Sequence, residues 1–159
     1  LYRPFLRMSA PLAPKRHDDA FWWHGSLYRI RARAADTGGA IGLVEPTLYR
    51  GFGPPLHVHR GEDEAFYVLE GEYVMNLEDR EFVCPARSFI FIPQGVRHGF
   101  RVGDVASRKL NLYFPASMIG YFDDLADALG REDVSEGELA DIAEAHQMEI
   151  VGPPSDRYV

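Results

Sequence analysis

His57 and His59 stand two residues apart in the run Gly51-Phe-Gly-Pro-Pro-Leu-His57-Val-His59-Arg-Gly-Glu-Asp-Glu64. On a β-strand that spacing turns both imidazoles to one face, where a single metal ion is within reach of each. A helical site would need spacings of three or four instead. After the short turn Arg60-Gly-Glu-Asp63 the chain can return alongside and offer Glu64 to the same point, although spacing alone also admits Glu62 or Asp63. His98, which follows Pro93-Gln-Gly-Val-Arg97, would add a fourth ligand from a separate strand. Three neutral imidazoles and one carboxylate suit one divalent transition metal, Fe, Mn, Co, Ni, Cu or Zn, and suit Ca or Mg poorly. In octahedral geometry four protein ligands leave two positions open for substrate, water or O2, which is the arrangement of a catalytic centre.

Such a site needs strands to hold it, and the sequence supplies them between about Phe21 and Phe114. Leu27-Tyr-Arg-Ile-Arg-Ala32 alternates apolar with basic residues, and Ile41 to Tyr49 is rich in β-formers until Gly51 and Gly53. Ala65 to Glu70 and Glu72 to Leu77 read as two strands meeting at a tight turn on Gly71, with a second turn over Glu78 to Glu81. Ser88 to Ile92 is an apolar run closed by Pro93-Gln-Gly95, and Lys109 to Phe114 is a strand stopped by Pro115. Strands at about this spacing predict an antiparallel barrel or sandwich.

Beyond Pro115 the period changes to helical. Met118, Phe122, Leu125 and Leu129 share a face, with Ser117 as N-cap and Gly130 as C-cap. Ser135-Glu-Gly-Glu138 is a capping box ahead of Leu139, Ile142, Ala143 and His146. The expected layout is an N-terminal arm over 1–20, a barrel over 21–115, two packed helices over 116–150 and an irregular tail over 151–159. Met8 resembles a native start, so residues 1–7 carry no weight in this reading.

With 159 residues, the chain is expected to form one core and to leave no room for a second catalytic module. Its net charge of −7 comes from one segment: residues 123–149 hold one basic residue against ten acidic ones, while the rest is nearly balanced. No basic stripe is present, which argues against nucleic acid as a partner. No apolar run approaches the roughly 20 residues that span a bilayer. Cys84 is the one cysteine, so no intramolecular disulfide or thiolate zinc site can form, and a cytoplasmic setting is expected.

The string from Gly51 to Gly71 fits G-x5-H-x-H-x4-E-x6-G at every fixed position, and Pro93, Gly95 and His98 fit the centre of G-x5-P-x-G-x2-H-x3-N. In this the chain resembles the cupin superfamily. Thr37-Gly-Gly39, Pro54-Pro-Leu-His57 and Gly152-Pro-Pro154 extend the likeness to small single-domain bacterial cupins described as quercetin 2,3-dioxygenase-like. The resemblance implies an all-β fold, a double-stranded β-helix or jelly-roll-like barrel here followed by two C-terminal α-helices, with His57, His59, Glu64 and His98 as metal ligands. Arg87 stands where the second motif begins with glycine and Val102 where it ends with asparagine, which puts the local turn and the contacts around the ligands in question.

By the same resemblance the favoured activity is an O2-dependent dioxygenase acting on a small aromatic or enol-bearing, flavonol-like compound, with Glu64 as ligand and general base. A non-redox isomerase or cyclase working on a polyketide-like intermediate is the alternative, and a small-molecule binding module is the third class. If Glu64 faces inward, Phe66 and Val68 share its face by alternation, and Phe100 shares parity with His98. These residues, with Phe91 and Asn76, are the expected substrate contacts. The expected partners are the small-molecule substrate and O2, with no membrane, and exposed apolar strand faces would permit a homodimer.

Overall fold

The computed structural model describes residues 14–154. Two antiparallel sheets face each other. The first orders its six strands β1 (Ala20–Trp23), β2 (Ser26–Ala32), β3 (Gly42–Leu48), β10 (Ser107–Phe114), β5 (Asp63–Glu70) and β8 (Phe89–Ile92). The second orders five: β11 (Met148–Pro154), β4 (Pro55–His59), β9 (His98–Val102), β6 (Glu72–Leu77) and β7 (Arg80–Pro85). Between them lies a core that includes Val44, Phe66, Tyr73, Met75 and Val102. This is the all-β, cupin-like architecture expected from the sequence, with the two C-terminal helices in place as α2 (Ile119–Leu129) and α3 (Glu136–Ala145). A single helical turn, α1 (Ala34–Thr37), joins β2 to β3. No helix among the described residues is long and apolar enough to cross a membrane.

Strand alternation decides what the interior receives. In β5, Glu64, Phe66 and Val68 face in, while Tyr67 is 37% exposed on the outer face. Its partner strand β8 pairs Phe91 with Ala65 and Phe89 with Tyr67, so both phenylalanines lie on that outer face, 49% and 64% exposed. Phe91 is therefore not a wall of the interior, contrary to the sequence expectation. In β6, Tyr73 and Met75 take the buried positions, and Asn76, opposite Gly99, has the other parity.

The C-terminal region differs from its sequence reading in two respects. Residues 148–154, expected to end the helical region and begin an irregular tail, form β11 against β4, with Met148 opposite His59 and Ile150 opposite His57. The backbone of β4 offers an edge there, and Pro153 and Pro154 are tolerated because they close an outermost strand. Ser117 does not cap a helix; it lies in a 3-10 turn, and its hydroxyl donates to Glu62 Oε1 at 2.6 Å. Ser135 does cap α3, accepting from the Glu138 amide.

The motif glycines are not equivalent. Gly51 and Gly71 both have positive φ, 71° and 82°, but nothing lies within 4 Å of a Cβ added at Gly51, whereas one at Gly71 would meet Ser107 Oγ at 1.9 Å. That hydroxyl cannot step aside freely, since it accepts from the Glu72 amide and donates to the Val105 carbonyl. Arg87, in the place of the second motif's first glycine, keeps the turn at φ 74°, and its amide donates to the Val68 carbonyl. Gly51→Ala is expected to cost about 1–2 kcal/mol, the left-handed backbone penalty alone. Gly71→Ala is expected to cost more, by about 1–3 kcal/mol of overpacking. Urea unfolding of the two variants checks the order, and equal midpoints would count against the close approach of Ser107.

Candidate metal centre and cavity

Four side chains from three strands converge between the sheets. His57 and His59 come from β4, Glu64 from β5 across the turn, and His98 from the first position of β9, directly opposite His57. All four are buried, and one ligand atom from each can be chosen so that all lie within 4.8 Å of one another. The His57 and His98 ring centroids are 4.3 Å apart, and His59 lies 5.1 and 5.3 Å from them. The two neighbouring acids left open by spacing are outside the ligand cluster, each with one oxygen bonded elsewhere. Glu62 accepts from Ser117, and Asp63 Oδ1 accepts the Gln94 amide at 2.8 Å.

Hydrogen bonding fixes how the imidazoles present themselves. Nδ1 of His57 is 2.8 Å from the Pro55 carbonyl, and Nδ1 of His98 is 2.8 Å from the Val96 carbonyl. A carbonyl only accepts, so each Nδ1 carries the proton, and the neutral ring then offers a lone pair at Nε2. His98 Nε2 lies 3.0 Å from Glu64 Oε2. Two acceptors at that distance need a cation or a proton between them. His59 Nε2 is also 3.0 Å from Glu64 Oε2 but lacks the alignment of a hydrogen bond, and its Nδ1 is buried without a partner. Backbone-anchored imidazoles, an inward carboxylate and an unpartnered ring nitrogen fit a single metal site.

The charges follow from burial and proximity. Desolvation, aided by repulsion from His98 and His59, pushes the His57 pKa down to about 3, so this ring is neutral at any ordinary pH. For His59 burial also opposes protonation, but Glu64 and Glu62 outweigh it and hold its pKa above the usual histidine value. Glu64 is the reverse: burial favours its acid form, but His59 and His98 hold it well below the usual carboxylate range, hence ionised.

A cavity of about 620 Å3 opens onto this cluster. His57, His59 and Glu64 line it, while His98, almost wholly buried, does not. Phe66 and Phe100 are in its wall, as their parity with the ligands predicts. Val68 is buried farther along β5 and does not reach it, and Asn76 and Phe91 lie outside it. Other walls come from regions to which the sequence reading assigned no site. α2 gives Tyr121 and Phe122, α3 gives Leu139 and Ala143, and β11 gives Met148 and Ile150. On β10 the buried row Lys109, Asn111 and Tyr113 faces the cavity, Lys109 Nζ donating to Asn111 Oδ1 at 2.5 Å and Asn111 Nδ2 to the Tyr113 hydroxyl at 3.2 Å.

The family model described as "Cupin domain" matches residues 47–108. Quercetin 2,3-dioxygenase from Bacillus subtilis (strain 168) is 27% identical over 122 residues, which covers 72% of this chain and 36% of that protein. The chain thus spans little more than a third of the length of that relative. Among solved structures, KdgF from Halomonas sp. is similar at TM-score 0.56 and 21% identity, covering 61% of this chain and 87% of that one. An RmlC-like cupin from Shewanella frigidimarina is similar at TM-score 0.54 and 21% identity, covering 62% and 84%. At these identities the two structures share the fold.

The protein is expected to bind one divalent transition metal per chain. His57→Ala, His59→Ala and His98→Ala are each expected to lower affinity at least about tenfold, while Asn76→Ala and Phe91→Ala leave it unchanged, by elemental analysis and calorimetry. Protons compete with the metal for ligand nitrogens. Retention is therefore expected to fall as pH drops below neutral, because His59, with its raised pKa, is protonated while His57 stays neutral. Retention unchanged down to about pH 4 would contradict this assignment.

Proposed function

We propose that this chain, a protein of the cupin superfamily, is a metal-dependent enzyme that oxidises a small enol-bearing or hydroxy-keto aromatic compound with O2. The observation that carries the reading is the buried cluster of three imidazoles and one carboxylate at the wall of a cavity whose lining includes the rings of Trp23, Tyr28, Phe52, Phe66, Phe100 and Phe122. His57, His59, Glu64 and His98 would hold the metal. When bound, it supplies a Lewis acid and electron-transfer centre at which the substrate oxygens and O2 can react. The choice of an oxidative reaction is supported by the 27% identity to a quercetin 2,3-dioxygenase.

The chain's own residues have separable tasks in this reading. Phe100, Phe52 and Tyr28 offer ring faces and edges on which a flat substrate can lie. Met148 and the helix residues Phe122 and Leu139 add apolar wall that helps to exclude water. Glu64, ionised and desolvated, can accept the proton of a substrate hydroxyl at a carboxylate oxygen, leaving the substrate as its enolate and Glu64 as the acid. Tyr113, kept un-ionised by burial and by the nearby Glu64 charge, remains a neutral hydroxyl beside that transfer.

The metal-loaded protein is expected to consume O2 only when a substrate from a panel of flavonols and related enols is present, followed with an oxygen electrode. Conversion of substrate under strict anaerobiosis would replace this reading with the non-redox isomerase or cyclase. Glu64→Gln is expected to slow turnover about a hundredfold or more at matched metal content. Full turnover in that variant would remove Glu64 as the base.

A further inference from the structure

Lys109 is fully buried in the cavity wall, and no carboxylate pairs with it among the described residues. Lysine is almost never buried in this way unless it is paired. Its ammonium sits 3.3 Å from the centroid of Phe66 and 4.2 Å from that of Phe100, in the corner made by two rings inclined at 87°. An ammonium has three N–H donors, and Asn111 Oδ1 uses one. Since the ammonium can only donate, the atom facing it must be the amide oxygen, which turns Asn111 Nδ2 toward Tyr113. The result is a row of N–H donors on β10 facing the cavity with more hydrogens than acceptors. Burial draws the Lys109 pKa down to about 7, against the pull of Glu64, as expected for a charge whose partner is not supplied by the protein.

The charge balance agrees. Glu64 is the one buried carboxylate among the lining residues; Glu136 also lines the cavity, but it is exposed. With a divalent ion at the four ligands, that ion and Lys109 bring three positive charges against two negative ones, from Glu64 and the other buried carboxylate, Glu62, so the interior keeps one uncompensated positive charge. Along β10, Asn111 pairs with Phe66 and Tyr113 with Glu64, so the ammonium near Asn111 stands about 7 Å, one strand repeat, from the level of Glu64. A small flat molecule can span that interval.

We propose that Lys109, with Asn111 beside it, receives an anionic group, a carboxylate, of the substrate, so that the cavity selects flat organic acids over their neutral analogues. This deepens the reading above and rests on it only for where the reacting end of the molecule lies. Lys109 is on this account a specificity-determining residue, and its desolvated charge is retained at the expense of stability.

Calorimetric titration with 1-naphthoate and with its neutral isostere 1-naphthamide tests this at neutral pH, where the metal is retained and a bound carboxylate favours the charged form of Lys109. It compares metal-loaded wild type, Lys109→Met and Lys109→Gln, and each again after chelation. Wild type is expected to bind the acid at least about tenfold more tightly than the amide. That preference should vanish in both variants, which keep amide binding, and should survive chelation in the wild type. Thermal melts should show Lys109→Met no less stable than wild type, because an ammonium buried without a counter-ion is removed. Equal affinity of wild type for acid and amide would overturn the proposal whether or not either variant folds. A preference kept in the variants but abolished by chelation would also overturn it, while leaving the metal reading intact. Loss of metal binding with a Lys109-dependent preference retained would do the opposite.

Discussion

The interior is organised around one carboxylate that meets ring nitrogens instead of water. Glu64 Oε2 lies 3.0 Å from Nε2 of both His59 and His98. The Val96 carbonyl claims the proton on the far side of His98, as the Pro55 carbonyl does for His57. Unshared electron pairs are thereby aimed at an anion in a desolvated space, which is tolerable only if positive charge sits between them. A proton on one ring can meet the requirement in part. A divalent ion meets it for all four ligands together, and therefore each surrounding hydrogen bond can be understood as support for a cation site.

That constraint explains the architecture around it. The two sheets meet at the turn Arg60–Glu62, so the ligands of β4 and β5 come from different sheets and are held by independent backbones. Gly95 donates its amide to the His59 carbonyl, tying the loop before His98 to the histidine strand. β11 braces the other edge of that strand opposite both histidines. The C-terminal helices bring no ligand. They place apolar residues over the cavity and so lower the dielectric in which the ligands act, while most of their acids stay at the surface. Val102, in place of the motif's asparagine, still fixes the loop at Gly51 through its backbone, donating to the Phe52 carbonyl and accepting from the Gly51 amide. A side-chain departure there leaves the turn intact because main-chain atoms carry it.

How much of this could be read from the sequence depended on whether a feature was local or made by packing. His57, His59 and the inward face of β5 follow from a period of two, which every strand obeys. The rejection of Glu62 in favour of Glu64 was not legible from spacing, because it depends on Ser117, 55 positions away, accepting the role of partner to Glu62. Phe91 and Asn76 illustrate a second limit: a residue type suited to a pocket says nothing about the face its strand presents, and both strands present the other one. Val68 had the right parity but lies too far along β5. The tail was obscured by Gly152-Pro-Pro154, whose local signal is irregular, while the pairing edge that makes residues 148–154 a strand is offered by β4.

β10 shows most clearly how the needs of a site can reverse a local pattern. Its residues alternate Lys109, Asn111 and Tyr113 with Leu110, Leu112 and Phe114, and hydrophobicity alone would turn the leucines inward. The structure buries the polar set and leaves the leucines partly exposed. Such a strand contributes less apolar burial than its sequence allows and adds desolvation costs for an amide and an ammonium. The neighbours limit those costs: Phe66 and Phe100 cradle the ammonium, and the amide and phenol bond in sequence along the strand. Conflict between local preference and fold is expected at sites that bind or react, where interactions are left for a ligand to complete. Here the inverted face of β10 and the ligand cluster border the same cavity, one bringing donors and the other a carboxylate among imidazoles. The polar interior is therefore better understood as one binding surface with two ends than as a metal site beside an unrelated buried lysine.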